Sequence, residues 1–360
     1  MPTVSTTLEF KPDLSDAARR WAAYLAGGMV DRPLVLIAAP RQGFTWDTLP
    51  PENTYRDRFM GDIDQVLDRT LTRAAAIWYG GEMMPAFRPS LATDEVAAVC
   101  GAHIEWSQES GDTNWSEPCV SDWDAALPLQ IKTDSPAWQR LMKLLERAAQ
   151  RLEGRMLIEH LDLHTNMDLL MAMRGSQRLC MDLIDQPEAI DRAMTSARAV
   201  FRPLWDAVAQ AAKMKERGYC HWMYSREPAG ILQCDFSCMI GGDMFRRWVM
   251  PALEEETAVV KHALYHWDGP DAVQHADDLL SIKGLHTLSY VPGAGHGGSM
   301  DYIDLYQRVQ AAGKAVQLWA SPDQIKVLHR KLRPEKTMYF TTTPTQAKGE
   351  ELLDWLVKNT

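Results

Sequence analysis

Nowhere in this sequence does an apolar run approach the roughly 18 residues that a membrane-spanning helix requires. The opening stretch, MPTVSTTLEFKPD, has neither the basic nor the apolar region of a secretory signal, so a cytoplasmic protein is expected. Cysteine is sparse. The six residues Cys100, Cys119, Cys180, Cys220, Cys234 and Cys238 show no CxxC spacing, which argues against a disulfide framework and against a structural zinc knuckle. There is no block of Lys or Arg, and a formal net charge of -10 opposes partnership with nucleic acid or an anionic membrane. Internal repeats, low-complexity tracts and flexible linkers are missing too, and no stretch matches a P-loop.

What the chain does have is apolar material, 46% of its 360 residues, enough to bury a large core. Gly230 to Pro270 organises that material. Ile231-Leu232 and Ala263-Leu264-Tyr265 are apolar runs that end in alternating polar residues: Gln233, Asp235 and Ser237 after the first, His266 and Asp268 after the second. Alternate side chains of a strand share a face, so each set can point at one place. A helix-like stretch from Asp243 to Val260 joins them. The pattern is strand, helix, strand, with polar groups at the carboxyl ends of the strands, where parallel barrels and open α/β sheets place their sites.

The same pattern extends in both directions. Ser15 begins a helix that stops at Gly27-Gly28, and Pro33 opens the all-apolar LVLIAAP, suited to a doubly buried strand with Arg41 just past its end. Ala76 to Tyr79 reads as a second strand, Met156 to Ile158 as a third, Leu285 to Val291 as a sixth, Lys314 to Trp319 as a seventh and Thr337 to Thr341 as an eighth. Between Pro85 and Lys132 the pattern is irregular, rich in Pro and Trp, and is expected to fold over a barrel mouth. Ser135-Pro136 then signals a capped helix. The expected fold is an α/β (β/α)8 TIM barrel over 31–360, preceded by an N-terminal extension over 1–30; the span of about 330 residues exceeds the roughly 250 typical of the fold.

Candidate chemistry concentrates at the strand ends. His266 and Asp268, two apart, could bind a metal or act as a base with its orienting acid; a structural hydrogen bond at the rim is the alternative. Asp235 is either a catalytic carboxylate or one end of an ion pair. Of Glu159, His160, Asp162 and His164, alternation lets about half face inward, with Glu159 on one face and His160 and Asp162 on the other. Asp168 and Arg174 could form a local ion pair or bind a substrate carboxylate. Gln233, Ser237, Asp162, Arg41 and Tyr290 complete the expected substrate contacts, and Glu159 is a third candidate metal ligand beside His266 and Asp268. The Gly-rich loop PGAGHGG could cradle an anion through its N–H groups.

The segments DLHTNMDLLMAMRG, LQCDFSCMIGGDMFRRWVMPAL, YHWDGP, HADDLLSIKGL and SYVPGAG resemble the uroporphyrinogen decarboxylase family, in particular its bacterial branch with a Tyr-His-x-Asp-Gly-Pro motif. The resemblance implies a (β/α)8 barrel and one of two chemistries. One is cofactor-free decarboxylation of a tetrapyrrole held by arginines. The other is cobalamin-linked methyl transfer, in which zinc held by a His-x-Cys pair and a later Cys activates a thiol. Here Arg41-Gln42-Gly43 lacks the decarboxylases' second arginine, Asp268 stands where the first zinc cysteine would be, and Thr341 to Thr343 replace the second. The expectation is therefore a corrinoid-linked methyltransferase for a small methylated substrate. Its cofactors would be zinc or another divalent metal and a corrinoid, free or carried by a partner protein, and the chain could form a homodimer. A decarboxylase and a corrinoid- or tetrapyrrole-binding protein without turnover are the alternatives.

Overall fold

A computed structural model describes residues 7–107 and 113–360. The apolar runs become strands Leu34–Pro40 (β1), Ile77–Gly81 (β2), Ala86–Phe87 (β3), Leu157–Ile158 (β4), Ala229–Gln233 (β5), His262–Asp268 (β6), Leu285–Val291 (β7), Ala315–Trp319 (β8) and Thr337–Thr342 (β9). Seven of them make one sheet in the order β2-β1-β9-β8-β7-β6-β5. All neighbours in it run parallel except β2, which joins β1 antiparallel. β3 and β4 form a separate parallel pair. His160 N donates to Cys220 O across the gap toward the β5 side, at 2.8 Å, and Glu82 N donates to Val35 O at 3.0 Å on the β1 side. This α/β architecture is compatible with a TIM-barrel-like fold whose ladder is interrupted on either side of β3–β4.

The second strand corrects the sequence reading. Ile77–Gly81 turns back along β1 instead of joining the parallel set. Gly81 makes the reversal possible: its φ is 58°, and a Cβ there would lie 2.0 Å from Val35 O, closer than any side chain tolerates. The next parallel strand is Ala86–Phe87, inside the stretch expected to be irregular. The hairpin Tyr219–Cys220 with Tyr224–Ser225 was also not expected from sequence. The pair Ile104–Trp106 with Asn114–Ser116 likewise lies in the stretch expected to be irregular; the other strands fall where the apolar runs placed them, and every residue of β1 is buried, as a doubly covered parallel strand requires. The capped helix begins at Pro136, with Ser135 Oγ accepting from Trp138 N at 3.1 Å.

Alternation along the strands divides the apolar side chains into two cores. Val35, Ile37, Leu232, Tyr265 and Leu288 face the helices. Leu36, Ile231, Leu264, Met338 and Phe340 face inward. The inner core is sealed at its amino-terminal end by the helix Leu14–Leu25 (α1), which buries Trp21 and Tyr24 against it. Trp21 Nε1 donates to Glu82 O at 3.0 Å, and the Tyr24 hydroxyl bonds Thr287 Oγ1 at 3.0 Å. Lys11, fully buried, donates to Tyr79 O and Gly81 O at 2.9 and 2.6 Å. Among the described residues no helix is long and apolar enough to cross a membrane.

Glu82 ties this end together. Its carboxylate takes both terminal nitrogens of Arg32, at 2.7 and 2.8 Å, and also the Val35 N–H at 3.0 Å. Both side chains are buried. Removing one partner of such a pair leaves the other charge without water or counter-ion, which costs about 3–5 kcal/mol. Glu82→Ala should therefore lower the unfolding free energy by about that much in guanidinium titrations, whereas the exposed Lys348–Glu351 pair, broken by Glu351→Ala, should change it by less than about 1 kcal/mol.

Candidate functional site

At the carboxyl ends of the parallel strands, polar side chains replace the apolar filling. On β6, the inward series His262, Leu264, His266, Asp268 continues upward from the core; Gln233 of β5, Ser289 of β7 and Gln317 of β8 lie on the inward face of their strands. Gln317 is fully buried, and its Oε1 accepts from the Ser289 hydroxyl.

The loop after β4 brings in the acidic side chains. The strand ends at Ile158, and alternation ends with it. His160 points outward, stacking on Trp205 at 3.8 Å and bonding Trp205 O at 3.2 Å; burial pushes its pKa down to about 4. Asp162, expected on the same face as His160, instead accepts from Gln233 Nε2 at 2.7 Å at the mouth. His164 lies among three carboxylates, with Asp168 at 3.6 Å, Asp235 at 3.9 Å and Asp162 at 4.0 Å. Burial opposes its charge, but those carboxylates outweigh burial and raise its pKa to about 10, so the ring is an imidazolium at neutral pH.

Asp168 is held from below: it accepts from the backbone N–H groups of Asp235 at 3.0 Å and Phe236 at 2.8 Å. The helix that carries it, Asn166–Arg174, starts at an Asn with φ 54°. Asn166 reaches Gln233 O at 3.1 Å and Glu256 Oε1 at 3.3 Å, and Thr165 Oγ1 donates to the same oxygen at 2.8 Å. Burial lifts Asp235 to about 7, and the neighbouring charge of Asp168 adds to this. Its Oδ1 is buried without a hydrogen-bond partner.

An aromatic group closes the mouth opposite these acids. Trp222, with φ 52°, stands edge-on to His266 at 5.8 Å, to Trp319 at 6.1 Å and to Phe340 at 6.2 Å; Trp319 stacks on Phe340 at 4.5 Å. A bulky residue held at positive φ costs of order 1–3 kcal/mol and persists where the surroundings over-determine it. Burial lowers the His266 pKa, so the ring is neutral, and its buried Nδ1 has no partner.

The structure thus brings together Asp162, Asp168, Gln233, Asp235, His266 and Asp268. Other expected site residues lie elsewhere. Arg174 pairs with Asp182 at 2.7 Å and with Val120 O and Ser121 O, so the Asp168–Arg174 pair is not made. Arg41 donates to Ile77 O at 2.9 Å and lines a cavity with Trp78, Tyr79 and Leu353. Tyr290 points outward between Trp267 and Tyr302. Ser237 is buried, its carbonyl accepting from His275 Nε2 at 2.9 Å. Glu159 is bound to Arg88 at 3.1 Å. In the Gly-rich loop, the Gly298 N–H is already taken by the Asp301 carboxylate at 2.8 Å. The residues that sequence missed are His221, Trp222, Ser289, Gln317, Trp319 and Phe340 as lining, and His164 as the charge centre. Only the alternation of β7 and β8 could have signalled Ser289 and Gln317.

The candidate metal ligands His266, Asp268 and Glu159 are not drawn together, and Glu159 is bound to an arginine. Among the described residues, the one group of three or more His, Cys, Asp or Glu with ligand atoms within 4.8 Å of one another is His103, Glu105 and Glu117, on an exposed hairpin.

No family model and no curated protein matches the sequence. Solved structures do resemble it. One is a methyltransferase from Methanosarcina mazei, with TM-score 0.59 at 13% identity, covering 95% of this chain and 98% of that one. At this identity the likeness speaks for the fold.

Three carboxyl groups, Glu256 and Glu95 buried and Asp235 partly exposed, have raised pKa values, mainly through desolvation: Glu256 to about 8, Asp235 and Glu95 to about 7. Each binds its proton more tightly folded than unfolded, so its contribution to stability is full at pH below the ordinary carboxylate range and is lost as pH rises through 7 to 8. The melting temperature should fall between pH 5.5 and 8.5. Glu256→Gln, which keeps the shape and removes the ionisation, should flatten that fall; parallel profiles for the two proteins would show that Glu256 does not titrate this way.

Proposed function

We propose that this protein is a methyltransferase that takes a methyl group from a small substrate bound at the barrel mouth and passes it to a reduced corrinoid, free or carried by a partner protein. The observation that carries the reading is the composition of the mouth: unpartnered His266 Nδ1 and Asp235 Oδ1 beside the rings of Trp222 and Trp319, at the carboxyl ends of parallel strands. The resemblance of sequence segments to the corrinoid-linked branch and the structural likeness to a methyltransferase point the same way.

The charge at the mouth weighs against the decarboxylase alternative. Asp162, Asp168, Asp235 and Asp268 would repel a polycarboxylate, and the nearby Arg88 is held by Glu159. A tetrapyrrole bearing many carboxylates needs arginines in those positions.

A reduced corrinoid would supply the nucleophile; the chain's residues position the substrate. His164, as imidazolium, holds Asp162, Asp168 and Asp235 in one cluster. Neutral His266 offers its free nitrogen to the bound molecule, and Trp222 fixes the ring from the side. Orientation of this kind accounts for large rate factors, and misplacement by about 1 Å can cost about 10²-fold.

The test is methyl transfer to cob(I)alamin from a panel of methylated amines, ethers, thioethers, quaternary ammonium and sulfonium compounds, comparing the wild type with His266→Ala and Asp235→Asn. Both variants, folded by circular dichroism, should lose about 10²-fold in kcat/KM. Wild-type rates in both variants would remove these residues from the reaction, and no transfer from any compound would refute the methyltransferase reading.

A further inference from the structure

The mouth holds more negative charge than the protein neutralises. Asp162, Asp168, Asp235 and Asp268 face the single imidazolium of His164, while Glu159 and Arg88 cancel one another. Asp168 is satisfied by two backbone N–H groups and Asp162 by Gln233, but Asp268 has no hydrogen bond from any described residue. Two fully or nearly fully buried side chains in the same space also carry unpartnered polar atoms: Gln317, 0% exposed, at Nε2, and His221, 3% exposed, at Nδ1. Each such buried atom calls for a specific explanation, and a molecule bound beside the acids is one.

The uncompensated acids favour a positive ligand, and one larger than a metal ion. A bare divalent cation needs three or more donor atoms drawn close around it, and these acids and histidines do not meet that condition. What stands opposite the acids is aromatic. Trp319 is 50% exposed, so one side of its indole is open while the other lies on Phe340. Aromatic faces beside carboxylates attract a cation whose charge is spread over methyl groups and which carries little hydration to lose.

We infer that the substrate of this mouth is a methyl onium compound, a quaternary ammonium or a sulfonium, seated between the indole rings of Trp222 and Trp319 and the carboxylates of Asp235 and Asp268. For turnover this rests on the methyl-transfer reading; for binding it does not. An onium substrate also makes the missing metal set intelligible. When the carbon–nitrogen or carbon–sulfur bond breaks, its electron pair stays on the heteroatom, which leaves as a neutral amine or thioether. A reduced corrinoid, when bound, would supply the electron pair that the methyl carbon accepts. No Lewis acid or proton is required at the leaving group, in contrast to an ether, whose alkoxide must be stabilised.

Calorimetric binding to the full chain tests this with two pairs of probes: choline against its uncharged carbon isostere 3,3-dimethylbutan-1-ol, and tetramethylammonium against tert-butanol. Each cation should bind about tenfold more tightly than its neutral counterpart. Trp319 is half exposed and Asp268 partly buried with no hydrogen bond to lose, so Trp319→Leu and Asp268→Asn should keep the fold, and near-ultraviolet circular dichroism checks it. Each should weaken cation binding about fivefold or more, and Asp268→Asn should leave the alcohols unaffected. Equal affinity for cation and isostere, absence of cation binding at millimolar concentration, or cation binding indifferent to both substitutions would overturn the inference. If cations bind as expected but no methyl reaches cob(I)alamin, the onium site stands and the methyltransferase reading fails. If ethers are demethylated and onium compounds are neither bound nor used, the converse holds.

Discussion

Everything at the mouth depends on one electrostatic arrangement, a single imidazolium among carboxylates. Asp168 is buried while Asp162 and Asp235 are partly open to water, and without a cation among them the three like charges would repel one another, only in part screened by solvent. His164, at 3.6 to 4.0 Å from all three, makes the cluster tolerable. It does not make it neutral. The remainder appears as a proton retained on Asp235, whose raised pKa reports both burial and the adjacent charge of Asp168. The resting protein therefore holds a proton at a point where a cation is electrostatically favoured.

The fold spends strain to keep this arrangement. Asn166 and Trp222 are two of only three non-glycine residues with positive φ among the described residues, and they flank the mouth from opposite sides. Asn166 reverses the chain so that Asp168 can cap the N–H groups after β5, and its amide is held by Gln233 O and buried Glu256. Trp222 turns its ring toward His266 and Trp319. A left-handed Asn is cheap, because its side chain replaces a backbone hydrogen bond. A left-handed Trp has no such excuse, and its contacts with three rings supply the over-determination.

Much of the parallel sheet was legible in the sequence because an apolar run followed by an amphipathic helix has few other solutions. LVLIAAP and the runs before Gln233, His266, Val291 and Trp319 each became a strand with its polar residues at the expected end. β2 was misread in direction because direction is not a property of a run; it was set by Gly81 and by close approach to Val35 O. β3 was missed because two residues leave no periodicity. Of the expected site residues, Gln233, His266 and Asp268 lie on the inward faces that alternation along β5 and β6 assigns them, whereas Asp235 lies past the end of β5 in a short 3-10 turn. Alternation failed for His160 and Asp162, since Leu157–Ile158 is too short to carry the rule past its own end. Arg174 and Tyr290 were misassigned for a different reason: their partners, Asp182 in the next helix and Tyr302 beyond the Gly-rich loop, are set by tertiary packing.

The interrupted ladder bears on how the two ends of the inner core differ. Toward α1, every polar atom that reaches the interior finds a partner: Lys11 finds carbonyls, Glu82 finds Arg32 and Val35 N, and Tyr24 finds Thr287. At the opposite end, His266, Asp235, Gln317 and His221 each leave an atom unpaired. Within the inner core, this contrast follows if the lower end is built for rigidity and the upper end is completed by another molecule. On that argument the break at β3–β4 costs little where the structure must be stiff, because α1 and the Arg32–Glu82 pair close that side. It leaves the loop after β4 free of strand geometry, and that freedom is what lets Asp162 and His164 turn inward together.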